Sequence, residues 1–176
     1  MIFIVGIDHK IQHDGRGSAS PENRKLFASY ISEQVTSLDI NILVEEMNEE
    51  ALQMSFAKNC VVRNVAASFG LPHIFCEPGR QDRKSLGVPS ASEIAEKAGV
   101  KFYAQGSAEQ KLISDEEKKY FSIRENFWLD EIREFLGKTI LIVVGAAHTE
   151  TFPLLLKAEN IEYETLSANW CLESLA

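Results

Sequence analysis

The chain has 176 residues, of which 45% are hydrophobic and 25% are charged, and this length and composition suit one folded domain rather than two. Its formal net charge of −8 disfavours nucleic acid and anionic membrane as main partners, because both bind concentrated basic surfaces. No apolar run suits a membrane span or a signal peptide and the three cysteines are far apart, so we expect one cytosolic domain over residues 1–176 with reduced thiols.

The first strand and the first helix are clearly marked. The apolar, β-branched run from Ile2 to Ile7 is typical of a buried strand, and its Gly-x-x-His ending places His9 just past the strand. The next segment, 9–19, is polar and contains two glycines, so we expect a loop outside the core. Ser20 and the proline after it then predict the start of a helix that covers the sheet.

Two further strands are predicted in the first half of the chain. A short apolar run ends in Glu45 and Glu46, and a helical pattern over about 48–69 follows it. A third short strand ends at Glu77, and the residues after it, 78–83, are predicted to form a polar loop. Carboxylates therefore follow both of these strands.

The second half of the chain contains a long helix and a second β-branched run. Ser114 and the acidic residues after it form a capping-box pattern, which predicts the start of a long amphipathic helix. The run over 140–144 resembles the first strand and also ends in Gly-x-x-His, which here delivers His148. A helix over 149–158 and a half-buried or edge strand over 161–166 complete the prediction.

The alternation of strands and helices predicts an α/β fold, with a mainly parallel central sheet and helices on both faces. The paired Gly-x-x-His units also suggest two similar halves. The carboxyl ends of parallel strands meet at one edge of the sheet, where such folds bind their ligands. We therefore expect one site built from the polar groups at the strand ends, namely His9, Glu45, Glu46, Glu77 and His148.

Two imidazoles and a carboxylate suit a divalent transition metal with an open position for water. We predict that His9, His148 and either Glu45 or Glu46 hold Mn²⁺, Co²⁺ or Zn²⁺, which would make the bound water a nucleophile at neutral pH. Neighbouring residues at a strand end point in opposite directions, so only one glutamate is expected to face the cleft. Without a metal, His9 or His148 would act as a general base oriented by Glu46.

One arginine on the long predicted helix is a further candidate. Arg124 could bind a substrate carboxylate or stabilise an oxyanion. The alternative is an ordinary surface salt bridge with Asp130 or Glu131. A structural role is also open for His73 and for Glu77.

Taken in order, these motifs resemble the TIKI, TraB, EreA and ChaN-like superfamily. The resemblance covers residues 2–166 and joins two Gly-x-x-His units, a glutamate pair after the second strand, and an arginine-containing helix. The residues that carry it are Gly6, His9, Glu45, Glu46, Arg124, Asn126, Trp128, Ile132, Gly145 and His148. It implies an α/β fold of two similar halves. The resemblance to TIKI-like members implies metal-dependent peptide hydrolysis. The resemblance to esterase-like members implies lactone opening with histidine as base, and that to ChaN-like members implies haem binding.

The predicted function is hydrolysis of an amide or ester bond in a small molecule or peptide. In this hypothesis a divalent metal is held by His9, His148 and Glu45 or Glu46, and Arg124 stabilises charge on the substrate. One alternative is a metal-independent esterase that uses a histidine and a glutamate. Another is a module that binds haem or another small ligand without turnover, and the last is a purely structural protein.

Overall fold

The computed structural model describes residues 1–100 and 106–171, and within them five strands form a single sheet. The strands are β1 (Ile2–Ile7), β2 (Ile42–Glu45), β3 (His73–Phe75), β4 (Ile140–Gly145) and β5 (Tyr163–Trp170). Their order in the sheet is β3-β2-β4-β1-β5, and every pairing is parallel. The predicted α/β class with a parallel central sheet is therefore confirmed.

Helices connect the strands and cover the sheet. They are α1 (Pro21–Ser37), α2 (Glu49–Met54), α3 (Val61–Phe69), α4 (Arg80–Leu86), α5 (Ala91–Lys97), α6 (Ala108–Glu117), α7 (Phe121–Ile132) and α8 (Phe152–Ala158). Short 3₁₀ turns occupy His9–Ile11, Lys118–Tyr120, Arg133–Phe135 and Ala146–His148. None of the described helices is both long and apolar enough to cross a bilayer.

The core lies on both faces of the central strands. Leu43 of β2 belongs to an apolar cluster with residues of α1 and α3, whereas Val44 belongs to a second cluster with residues of α7 and α8. Successive side chains of a strand point to opposite faces, and both faces are covered, so the strands read as continuous apolar runs. The same alternation sends the side chains of Glu45 and Glu46 to opposite faces of the sheet.

The two Gly-x-x-His units lie side by side, because β1 and β4 are neighbours in the centre of the sheet. Their registers differ by one residue: Gly6 pairs with Val144, and Gly145 pairs with Ile7. Each strand leads directly into a 3₁₀ turn that carries the histidine of its unit. The two histidines therefore emerge at the same edge of the sheet.

Several predicted helix boundaries are wrong. The pattern over 48–69 is divided into α2 and α3, because the chain turns at Phe56, whose φ of 57° is left-handed. Ser114 lies inside α6, since that helix already begins at Ala108 and is capped by Ser107, whose hydroxyl accepts a hydrogen bond from the backbone N–H of Gln110. The predicted loop over 78–83 is wrong because Arg80 begins α4.

The sequence predicts that segment 9–19 lies outside the core, and this prediction is wrong for the first part of the segment. Its 3₁₀ turn folds Ile11 onto the α1 face of the sheet, and Gln12 is completely buried. At the other end of the chain, β5 runs past the predicted residue 166 and forms one edge of the sheet. Residues 101–105 fall in a stretch for which the sequence predicts no clear element, and they lie outside the described residues.

The C-terminal tryptophan, Trp170, packs on its own domain. Its ring lies 5.0 Å from that of Phe27 and 5.8 Å from that of Tyr30, measured between centroids, and it is 2% exposed. Strand β5 is thereby tied to α1 across the first cluster.

Candidate active site

The carboxyl edge of the sheet brings Glu46 together with both strand-end histidines. Oε1 of Glu46 lies 3.6 Å from Nε2 of His9 and 3.5 Å from Nε2 of His148. Its other oxygen, Oε2, accepts a hydrogen bond of 2.7 Å from the backbone N–H of Gly145. Three of the residues predicted to form a site, His9, Glu46 and His148, therefore lie together.

Arg124 of α7 enters this cluster from the helix side and is buried. Nη2 donates hydrogen bonds to Glu46 Oε1 and to Glu77 Oε2, and Nε donates to both oxygens of Glu77 at 3.1 and 3.2 Å. Nη1 lies 3.3 Å from Nε2 of His148. The alternative of a surface salt bridge from Arg124 to Asp130 or Glu131 is therefore wrong.

Glu77, which follows β3, anchors the arginine rather than facing solvent. Besides Arg124, its carboxylate accepts a hydrogen bond from the indole N–H of Trp128 at 3.0 Å and another from Arg83. These donors hold Glu77 in one orientation beneath α7. Glu77 therefore helps to hold Arg124 in position.

The charges in this cluster stabilise one another. Burial alone would raise the pKa of Glu46, but the neighbouring His9, Arg124 and His148 and the backbone N–H of Gly145 outweigh it and bring that pKa well below its usual range. Burial alone would lower the pKa of Arg124, but Glu46 and Glu77 raise it further above its ordinary value. Both groups are therefore ionised at neutral pH.

His148 is buried, and its hydrogen bonds fix the orientation of its ring. A guanidinium can only donate, so Nε2 of His148 accepts from Arg124, while Nδ1 donates to Oε1 of Glu125 at 2.7 Å. The ring lies between those of Phe121 and Trp128, with centroids 3.8 and 4.6 Å away. Contacts at both ring nitrogens and with two aromatic rings therefore hold this histidine in one orientation.

His9 is the accessible imidazole of the pair. Its side chain is 49% exposed, whereas that of His148 is 3% exposed. Nδ1 of His9 lies 2.6 Å from Oε1 of Gln12, and its Nε2 lies over Gly145, where an added Cβ would come within 2.5 Å. A solvent molecule or substrate that approaches Glu46 therefore meets His9 first.

Glu45 lies on the other face of the sheet and does not join this cluster. Oε1 accepts hydrogen bonds of 2.7 Å from the Cys60 thiol and 2.7 Å from Nε2 of His73, and Oε2 accepts one of 3.3 Å from the Gln12 amide. Burial raises the pKa of Cys60, which keeps the thiol protonated as a donor. The two glutamates therefore point to opposite faces of the sheet, and Glu46 is the one that lies beside His9 and His148.

The predicted metal ligands fit a metal ion poorly in this arrangement. Nε2 of His148 and Oε1 of Glu46, two of the three converging atoms, already accept hydrogen bonds from the permanent cation Arg124. Within residues 1–100 and 106–171, no group of three or more histidine, cysteine, aspartate or glutamate side chains is arranged to hold a metal. A divalent ion would need Arg124 to move away. The metal-bound form stays a prediction from the sequence.

Two contributors to the site carry no sequence signal that would single them out. Glu125 stands next to Arg124 on α7 and orients His148, and the Thr151 hydroxyl in turn donates to Glu125. Gln12 lies in a segment expected to be a loop. A functional histidine often donates its second ring N–H to a carboxylate or a backbone carbonyl, and that rule is the one signal that could have pointed to an acidic partner such as Glu125.

No protein-family model, curated protein or solved structure matches this chain. The resemblance to the TIKI, TraB, EreA and ChaN-like group therefore stays an expectation drawn from the motifs.

Proposed function

We propose that this chain is a metal-independent hydrolase of ester bonds in small molecules, with His9 as the general base. The observation that carries the proposal is the position of Arg124, whose guanidinium contacts both Glu46 and His148. The cluster thereby holds a buried cation on Glu46, the same carboxylate that lies 3.6 Å from the accessible imidazole of His9. Metal-independent hydrolysis by a histidine and a glutamate is one of the two enzymatic hypotheses that the sequence supports.

In the proposed reaction, Nε2 of His9 takes a proton from water as the water oxygen attacks the ester carbonyl carbon. The carboxylate of Glu46, 3.6 Å from that nitrogen, stabilises the imidazolium that forms. The imidazolium then returns the proton to the leaving alcohol as the carbon–oxygen bond breaks. The products are a carboxylic acid and an alcohol.

In this reaction Arg124 stabilises the negative charge that develops on the carbonyl oxygen. A guanidinium has five N–H donors. Among the described residues, Glu46, Glu77 and His148 accept from four of them, which leaves one N–H on Nη1 without an acceptor. A preorganised, largely buried donor of this kind stabilises an oxyanion by several kcal/mol, roughly 3–4 in known cases.

A metal-dependent hydrolase of amide or ester bonds is the second candidate. The convergence of two imidazole nitrogens and a carboxylate oxygen within 3.6 Å favours it. Bound Mn²⁺, Co²⁺ or Zn²⁺ would supply a water of lowered pKa, with His9, His148 and Glu46 as ligands. This candidate requires Arg124 to leave its present position. Haem or another small ligand held without turnover stays a third hypothesis.

The test is hydrolysis of a panel of p-nitrophenyl esters by chelator-treated protein, with His9→Asn as the variant. His13→Asn is the matched control, because His13 belongs to the same segment and its Nδ1 accepts from the Gly15 backbone at 3.1 Å instead of facing Glu46. We expect saturable hydrolysis after chelation. His9→Asn should lower kcat by about 10²–10⁴, the usual contribution of a general base, and His13→Asn should leave it nearly unchanged.

The same assay separates the other candidates. Hydrolysis that appears only after Mn²⁺, Co²⁺ or Zn²⁺ is added would overturn the metal-independent reaction in favour of the metal-dependent one. A Soret band on haem titration that His9→Asn abolishes, with no ester hydrolysed, would favour the binding module. Equal activity of wild type and His9→Asn would remove His9 from the mechanism.

A further inference from the structure

A buried amide connects the accessible histidine to the glutamates of both faces. Gln12 closes the 3₁₀ turn that begins at His9, and it is completely buried. Its side chain reaches three polar groups, which are Nδ1 of His9, Oε2 of Glu45 and the backbone carbonyl of Glu46. A fully buried glutamine needs such partners, because an unsatisfied amide would cost free energy.

These partners fix the orientation of the amide. The carboxylate of Glu45, 3.3 Å away, and the carbonyl of Glu46, 3.4 Å away, can only accept, so both must face the NH₂ group of Gln12. The amide oxygen then points at Nδ1 of His9, at 2.6 Å. The opposite orientation would place an oxygen against two oxygens. Nδ1 of His9 must therefore carry a hydrogen.

Glu45 is itself held firmly on the far face of the sheet. The Cys60 thiol and Nε2 of His73, each 2.7 Å away, donate to its Oε1 and leave Oε2 for Gln12. Glu45 is completely buried, so water does not compete for these contacts. Glu45, Cys60 and His73 thereby form a rigid support for the Gln12 side chain.

We propose that Gln12, held by Glu45, is a positioning residue that keeps neutral His9 in its Nδ1–H tautomer. The lone pair of Nε2 is then left to accept a proton, as a general base requires. The tautomer of a histidine is set by the hydrogen bond made at its other nitrogen. The catalytic consequence rests on the proposed ester hydrolysis, whereas the tautomer itself does not.

The experiment is a two-bond ¹H–¹⁵N correlation spectrum of ¹⁵N-histidine-labelled protein at a pH where the imidazoles are neutral. The His9 signals are those that disappear in His9→Asn. We expect a protonated Nδ1 and an unprotonated Nε2 in wild type. In Gln12→Met, which keeps the size of the side chain but lacks the amide, the signals should shift toward the Nε2–H form that free histidine prefers. Gln53→Met, at an exposed position, is the control and should leave them unchanged.

A wild-type spectrum with His9 as the Nε2–H tautomer would overturn the proposal, even if Gln12→Met does not fold. A folded Gln12→Met protein with the wild-type His9 pattern would also overturn it. If the protein hydrolyses esters, Gln12→Met should lower kcat by about ten- to a hundredfold, as loss of an orienting partner does elsewhere, with little change in KM. A confirmed tautomer in a protein without hydrolysis would contradict the proposed function alone.

Discussion

Glu45 and Glu46 are neighbours in the chain, yet they lie in opposite kinds of surroundings. Glu45 accepts from a thiol, an amide and His73 in an enclosed cluster. Glu46 pairs with Arg124 and lies beside two imidazoles, one of which is half exposed. A shift of one residue at a strand end therefore decides whether a glutamate holds other side chains in place, as Glu45 does, or lies at the candidate reactive site, as Glu46 does.

The nature of the donors explains the difference. Neutral donors such as a thiol and an amide hold a carboxylate in place and leave it little to offer a ligand. A guanidinium with a spare N–H and an exposed imidazole can also act on a bound molecule. We therefore expect damage to the Glu45 side to disturb positioning and damage to the Glu46 side to disturb chemistry.

The largest loss of stability should come from replacing Arg124, the cation that pairs with Glu46. Arg124→Met would remove the buried cation that Glu46 and Glu77 share and leave only Arg83 beside Glu77, at a cost of about 3–5 kcal/mol in the free energy of unfolding. His73→Leu, which removes one donor from Glu45, should cost about 1–3 kcal/mol. Urea denaturation measures both values. Arg133→Met, at an exposed pair with Asp130, is the control and should change little. Equal costs for Arg124→Met and His73→Leu would break the comparison.

The activities of two isosteric variants sharpen the same contrast. Glu46→Gln removes the negative charge beside His9, so we expect kcat for ester hydrolysis to fall by about 10²-fold or more. Glu45→Gln keeps the size of its side chain and should lose much less activity, because Glu45 acts on His9 only through Gln12. Steady-state kinetics on chelator-treated protein measures both. A larger loss in Glu45→Gln would reverse the assignment of the two faces.

The smallest expected loss of stability comes from adding a methyl group at Gly145, and this change should still lower the activity. An added Cβ would fall 2.5 Å from Nε2 of His9 and 3.3 Å from Oε2 of Glu46, and His9 can swing toward solvent to make room. We expect Gly145→Ala to cost about 1 kcal/mol or less while kcat falls. Gly6→Ala is the matched variant, since its Cβ would meet the carbonyl oxygen of Ala168 at 2.2 Å and cost more stability. Thermal melts beside kinetics separate the two, and full activity in Gly145→Ala would contradict the placement of His9.

Much of the fold was predictable because its signals are local. The β-branched runs of β1 and β4 mark buried strands wherever they occur, and their alternation with helices leads to a parallel sheet. Boundaries such as the start of α6 were not, because Ser107 and Ser114 both suit a helix cap and the choice depends on packing. The turn that buries Gln12 was missed because its neighbours in the sequence are mostly polar.

The sequence by itself determined which groups stand at the strand ends, since an apolar run followed by His9, Glu46 or His148 places that group at the carboxyl edge of a parallel sheet. Only the tertiary structure decided their partners. Arg124 is 78 positions from Glu46 and 47 from Glu77, and the docking of α7 on the sheet makes it a buried cation rather than a surface one. Packing also leaves the His9 side chain half exposed, whereas it encloses His148, whose ring packs on Trp128 of α7. Contacts of such long separation leave no periodic trace in a single sequence.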